Sequence, residues 1–275
     1  MTSVREATER LAAAGVASPR YDAEALLAHV RGAARGALTD EHASRYTELV
    51  ELRAARVPLQ HLTGTTGFRY LELAVGPGVF VPRPETELLA GWAIDGLRAH
   101  PAPLVADLCA GSGAIALSLA HELPGATVYA VEIDPHAVAW AQRNAAARRA
   151  AGDRPITLIQ ADAADPAVLA DLDGTVDAVL TNPPYVPDQA VVAPEVAQHD
   201  PPVAIFGGPD GLVVVRRLIA RAANLLRPGG LLGVEHADLQ GDLLPEAVAA
   251  DGRFAAIEDH RDLNGRPRFT TAVRA

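Results

Sequence analysis

Asn182-Pro183-Pro184-Tyr185 directly follows the apolar run Val176 to Thr181. The run is short and rich in β-branched residues, as in a buried strand. Two prolines end it, because proline has no N–H for the ladder and its ring fixes φ. Asn182 is itself pushed to an extended conformation by the proline after it. A carboxamide, a prolyl carbonyl and an aromatic ring therefore leave the strand end in a nearly fixed arrangement. That arrangement suits a planar R–NH2 group. The Asn182 side-chain oxygen can take one in-plane N–H, the Pro183 carbonyl the other, and the Tyr185 ring can lie against the flat face. Such nitrogens are poor nucleophiles, so chemistry on them gains from being held and from stabilising the positive charge that develops.

Three further strand ends carry polar residues. Leu104 to Cys109 reads as a strand, and Ala110-Gly111-Ser112-Gly113 as a tight turn into a helix. The dinucleotide fingerprint wants a third glycine where Ala116 stands. Asp107, just before the turn, would repel a pyrophosphate and attract an ammonium group. This points to S-adenosylmethionine (AdoMet) rather than NAD. Glu132 ends the next strand, about 20 residues beyond the turn, where a carboxylate commonly holds ribose hydroxyls. Asp134, before Pro135, is expected to cap the following helix. Asp162-Ala163 ends a third strand. Asp162 can accept from an adenine amino group, or it can cap a helix expected over Pro166 to Leu172. Asp107, Glu132, Asp162 and Asn182 would thus line one crevice at the edge where open α/β sheets bind ligands.

The elements that must position these residues are an α/β sheet with flanking helices. Residues 1–57 read as about three helices, interrupted at Gly15, at Ser18-Pro19 and at Gly32 to Gly36. Residues 58–81 read as a β-hairpin linker, and 82–275 as the catalytic domain. Pro228-Gly-Gly230 reads as a turn, Leu231 to Glu235 as a fifth strand, and Phe254 to Val273 as a closing hairpin. Glu235 and His236 sit at another strand end, where a lone histidine is more often structural than catalytic. At 275 residues and 49% hydrophobic, the chain can fill one large core and a small one. Its net charge of −10 argues against a general nucleic-acid surface. The single cysteine allows no internal disulfide and points to a reducing cytoplasm. No apolar run is long enough to span a bilayer, and no metal-ligand spacing is present.

Pro82-Arg-Pro-Glu-Thr-Glu87, Asp107-Leu-Cys-Ala-Gly-Ser-Gly113 and Asn182-Pro-Pro-Tyr185 together resemble the HemK/PrmC family, the peptide chain release factor glutamine methyltransferases. Pro58-Leu-Gln-His-Leu-Thr-Gly64, Gly207-Gly-Pro-Asp-Gly211 and Asp262-Leu-Asn-Gly265 with Arg268 extend the similarity. The resemblance implies a class I AdoMet-dependent methyltransferase domain, Rossmann-like with a seven-stranded sheet, behind a small substrate-docking helical domain. It implies methylation of the side-chain nitrogen (N5) of glutamine in a release factor's Gly-Gly-Gln motif. A monomer that contacts neither nucleic acid nor membrane is expected. Carried over by position, Cys109, Ala110, Gly111, Ser112 and Gly113 would touch the methionine part of AdoMet. Glu132 would hold the ribose, Asp162 and Ala163 would border the adenine, and Asn182 to Tyr185 would hold the amide. Cys109 stands where glycine is frequent, Glu132 where aspartate is usual and His61 where tyrosine is common. Ala163 is smaller than the residue expected beside adenine. The rivals are an adenine-N6 nucleic-acid methyltransferase, a ribosomal-protein glutamine methyltransferase and a non-catalytic cofactor-binding subunit.

Overall fold

The computed structural model describes residues 2–33 and 39–275, so most of the break expected at Gly32 to Gly36 lies outside the described residues. The chain divides into two compact units. The first holds α1 (Val4–Ala13), α2 (Pro19–Ala33), α3 (Asp40–Ala54) and the short α4 (Leu59–Thr63). Ser3 and Thr39 each cap a helix, and the Glu6 and His42 side chains bond back to the cap. The apolar faces close on one another through Leu11, Leu26, Tyr46 and Leu49, all fully buried. Residues 192–200 return to this unit, which the sequence does not signal. Their place is set by charge. Arg53 donates to Asp22 (Nε–Oδ2 2.7 Å) and to Glu195 (2.9 Å), and Arg56 donates to Glu195 (2.6 Å).

In the second unit β1 (Thr65–Phe68) pairs with β2 (Leu71–Ala74), and α5 (Thr86–Leu97) follows. Then come β3 (Leu104–Leu108), α6 (Ala114–Glu122), β4 (Thr127–Glu132), α7 (Pro135–Ala150), β5 (Thr157–Gln160) and β6 (Val176–Thr181). The chain continues through α8 (Pro194–His199, in the first unit) to α9 (Val213–Leu225) and β7 (Leu226–Glu235). It ends with α10 (Leu243–Asp251), β8 (Phe254–Arg261) and β9 (Pro267–Arg274). The seven-stranded sheet has the order β5-β4-β3-β6-β7-β9-β8, parallel from β5 to β7 and antiparallel at β9 and β8. This is the class I methyltransferase fold. Both faces are covered, as a parallel sheet requires. Val105, Ala178 and Leu180 pack with α5 and α6, while Ala106, Leu108 and Val179 pack with α9 and α10. β6 is buried along its whole length.

Two expectations are corrected. The strand through Glu235 begins at Leu226, not Leu231. Pro228-Gly-Gly230 is a bulge within it, where the register jumps from Val176↔Leu226 to Ala178↔Leu231. Buried Asp177 holds the bulge by accepting from Arg227 (2.6 Å) and from the Leu104 amide (2.7 Å). Of the helix expected over Pro166 to Leu172, only a 3₁₀ turn forms, at Ala170–Leu172. No described helix is long and apolar enough to cross a membrane.

Candidate functional site

β4 and β5 follow β3 outward on one side, and β6 returns to its other side. That reversal makes the gap between the ends of β3 and β6 the switch point of the sheet, where ligands of open α/β folds bind. Leu108 lies beside Val131 on one flank and Thr181 on the other, so the loops after all three strands emerge together.

The glycine turn follows β3. Cys109, Gly111 and Gly113 all take positive φ (66°, 57° and 85°). A Cβ added at Gly111 would meet nothing within 4 Å, so the backbone there borders open space. Cys109 adopts the left-handed conformation despite its side chain, a strained choice of the kind found at ligand sites. Burial pushes its thiol pKa well above the ordinary value, and the nearby charge of Glu132 adds to this. It is a packing group, not a nucleophile. Ala110 and Ser112 are buried, and the Ser112 hydroxyl has no partner among the described residues. Asn144 of α7, which the sequence reading passed over, holds this turn. Its amide donates to the carbonyls of Ser112 and Ala74 (both 3.0 Å) and accepts from the Ala74 amide (2.7 Å).

Asp107 lies wholly beneath the turn. One oxygen accepts from the Ala116 amide (3.0 Å), which explains why the helix starts well without a third glycine. The other is buried and unpartnered. Burial pushes this carboxyl up to about 8; the Ala116 amide opposes the shift and the Glu132 charge adds to it. Glu132, also buried, accepts from Gly111 N (2.7 Å) with one oxygen. With the other it accepts from Ile133 N (2.8 Å) and Asp134 N (2.9 Å). A carboxylate has about four acceptor sites, so the oxygen facing the turn retains one. Asp134 caps α7 by accepting from His136 N. Asp162 has both oxygens engaged, by Ala164 N (2.9 Å) and by Arg217 (3.0 Å). The Arg217 pair is exposed and weak, so a ligand can displace it. The Ala163 side chain is buried in the apolar layer with Leu108 and Val131.

After β6, Pro183 and Pro184 are buried and Asn182 and Tyr185 partly so. The Asn182 amide nitrogen donates to the Thr86 hydroxyl (3.1 Å), so its oxygen faces away from that partner. No donor among the described residues bonds that oxygen or the Pro183 carbonyl. Thr86 lies in the Pro-Arg-Pro-Glu-Thr-Glu segment, whose part in the site is therefore a hydroxyl. The Tyr185 hydroxyl donates to Glu235 at the end of β7 (3.3 Å). Gly207-Gly-Pro-Asp-Gly211 clamps the motif's backbone. A Cβ at Gly207 would run into the Pro184 carbonyl, and one at Gly211 into that of Tyr185. Gln240 completes the clamp by donating to the Tyr185 carbonyl (2.9 Å). Gly211→Ala, with φ at +74° as well, is expected to cost about 1–3 kcal/mol and to lower turnover through the displaced motif. Gly252→Ala is the control, since Gly252 has a φ of +77° but open space around it. Thermal melts and turnover of the two variants check this; equal losses would contradict the clamp.

His236 is fully buried between Asp259 (2.8 Å) and the Ala237 carbonyl (2.8 Å), a structural role. Among the described residues no cluster of three His, Cys, Asp or Glu side chains is placed to hold a metal.

A family profile described as the PrmC N-terminal domain matches residues 3–64, and one described as the methyltransferase small domain matches residues 85–241. The "Release factor glutamine methyltransferase" of Streptomyces coelicolor is 50% identical, over 100% of this chain and 98% of its own. That of Mycolicibacterium smegmatis is 48% identical, over 99% and 97%. That of Moorella thermoacetica is 40% identical, over 98% and 96%. The chain belongs to the release factor glutamine methyltransferase family. Among solved structures, a 16S rRNA N2 G1207 methyltransferase of T. thermophilus in complex with AdoMet and guanosine aligns with a TM-score of 0.53. It is 23% identical and covers 77% of this chain and 50% of that one, a likeness of fold alone. In this family member the residues missing from the sequence reading are Thr86 as a hydroxyl acceptor, Asn144, Gln240 and the link from Tyr185 to Glu235. Glycine spacing at 207–211 was the available signal for the clamp, since three glycines around a Pro-Asp pair mark a backbone that must approach something closely.

Proposed function

We propose that this chain transfers a methyl group from AdoMet to the side-chain nitrogen of glutamine in the Gly-Gly-Gln motif of peptide chain release factors. The observation that carries this reading is the orientation of Asn182, whose nitrogen is held by Thr86 while its oxygen, like the Pro183 carbonyl, has no donor among the described residues and is left as an acceptor. A primary amide offers two in-plane donors to match. Two acceptors fix the nitrogen in place and oppose the positive charge it gains, and the Tyr185 ring supports the flat group. Pro184 stiffens the motif. The methylated nitrogen sheds a proton to water with no dedicated base, because a protonated amide is strongly acidic.

Bound AdoMet supplies the electrophilic methyl. The residues present suit it. The backbone at Gly111 borders open space, the free acceptor site on Glu132 fits a ribose hydroxyl, and Asp162 and Ala163 flank the place proposed for adenine. Asp107 acts on the cofactor's ammonium as a charge beneath the turn rather than as an exposed ligand. The proposed partner is a release factor, docked by the helical residues 1–57, with this chain acting as a cytoplasmic monomer.

Because the Asp107 carboxyl sits at about 8, it is mostly protonated at pH 7. A cofactor cation favours its ionised form, so binding at pH 7 is expected to release a proton. Affinity should then fall by up to about tenfold per pH unit below that. Calorimetry in two buffers of different ionisation heat reads the proton directly. A binding heat independent of the buffer would contradict the role given to Asp107, and Asp107→Asn should abolish the effect.

The function is tested by incubating the protein with methyl-labelled AdoMet and either a purified release factor or duplex DNA. Label on the factor alone is expected. Label on DNA alone would mean that the same amide-gripping motif serves a flipped adenine.

A further inference from the structure

Two leucines stand in solvent at the acceptor end of the sheet, Leu263 with 92% and Leu239 with 89% of its surface exposed. A single exposed apolar side chain is ordinary. These two differ in how firmly their turns are held and in what the turns hold. Leu263 lies in the turn between β8 and β9, which the sequence singled out as Asp262-Leu-Asn-Gly265 and which the amide site leaves without a use. Buried Asp262 fixes that turn. One of its carboxylate oxygens accepts from Asn264 N (2.8 Å) and Arg266 N (3.0 Å), and the other from Arg268 (3.3 Å). The Asp262 amide donates to the Arg266 carbonyl (2.8 Å), and Arg261 donates to the Gly265 carbonyl (2.7 Å).

Leu239 lies in a 3₁₀ turn, Asp238–Gln240. Gln240 N donates to the Ala237 carbonyl (2.9 Å), and Ala237 N donates to the Gln240 side chain (3.0 Å). The same Gln240 holds the Tyr185 carbonyl, so the turn that presents Leu239 is bonded to the acceptor motif. The two turns are neighbours, since a Cβ at Gly241 would stand 2.6 Å from the Pro267 Cβ. Both lie at the acceptor edge, where β7 ends at Glu235 beside the Tyr185 hydroxyl and pairs with Phe269 near the start of β9.

We propose that Leu239 and Leu263 form a docking surface for the release factor chain that carries the methylated glutamine, and that they take up an apolar side chain of that chain. This rests on the release factor reading above. The two glycines before the target glutamine offer no side chain to grip, so hold on this substrate has to come from residues farther along it, outside the amide pocket. The surface continues directly from the motif that holds the amide. Turns already fixed lose little freedom on binding, so burial of their leucines counts more fully toward affinity. Asp238 and Asp242, both exposed, flank Leu239 in sequence. Their charge opposes a phosphate backbone and favours a polypeptide over nucleic acid.

The test compares Leu239→Ser, Leu263→Ser and the double variant with the wild type in steady-state methylation of an intact release factor, with an AdoMet titration, a thermal melt and sedimentation of each. KM for the factor is expected to rise roughly 10-fold for each leucine, the effect of losing most of one leucine's buried apolar surface, and further in the double variant. Turnover at saturation, AdoMet affinity and melting temperature stay at wild-type values, because only binding common to ground and transition states is removed. A double variant whose KM matches the wild type would overturn the proposal. A loss of AdoMet affinity or of melting temperature would overturn it too, by making the leucines part of the fold. A wild-type dimer that the double variant dissolves would make the surface an interface between two copies of this chain instead. A wild type that methylates no release factor would sink the functional reading before any variant is compared, so the two failures are distinguishable.

Discussion

Asn182→Ala lowers turnover by roughly 10²–10³, the cost of removing one preorganised polar contact to a developing charge. AdoMet affinity changes little. The two effects separate because Asn182 is positioned for the acceptor: among the described residues its side chain hydrogen-bonds to Thr86 and not to the glycine turn or Glu132. The loss falls on turnover more than on KM for the release factor, since the contact strengthens as the nitrogen becomes cationic. Steady-state kinetics with a separate AdoMet titration check it. Near-normal turnover would remove Asn182 from the mechanism, and a parallel loss of AdoMet affinity would make its role one of cofactor binding or folding.

Arg53→Met destabilises the helical unit by about 3–5 kcal/mol, the cost of breaking a buried pair and leaving the charge behind. Arg53 and Asp22 are both nearly inaccessible, at 8% side-chain exposure each. Without the guanidinium, Asp22 keeps no charged partner, and the segment 192–200 is held through Glu195 by Arg56 alone. Arg20→Met is the control. Its pair with Glu24 has side-chain exposures of 81% and 51%, so it is expected to cost at most about 1 kcal/mol. Chemical denaturation read by a probe in residues 1–57 distinguishes them. Equal shifts would show that the buried cluster adds nothing to stability.

Strand ends were legible because strand chemistry is local. β-branched runs, glycine turns and prolines announce where a ladder starts and stops, so Val176–Thr181 and the ends at Leu108 and Glu132 could be read from neighbours in sequence. Asp134 as a cap is equally local. What connects those ends was not legible. Thr86 and Asn182 lie 96 residues apart, and Tyr185 and Glu235 lie 50 apart. No periodicity encodes such pairs; only the sheet order brings them together. The same holds for Arg53 and Glu195, 142 residues apart. Pro228-Gly-Gly230 misled for a different reason, since its composition is that of a turn while Asp177 and Arg227 keep it inside the strand as a bulge.

The most direct test of the central claim is peptide mass spectrometry of a release factor after reaction with this protein and AdoMet. A gain of one methylene on the side chain of the Gly-Gly-Gln glutamine is predicted, with no gain in a factor carrying Gln→Ala there. Methylation at another residue, or equal methylation of that variant, would contradict the account.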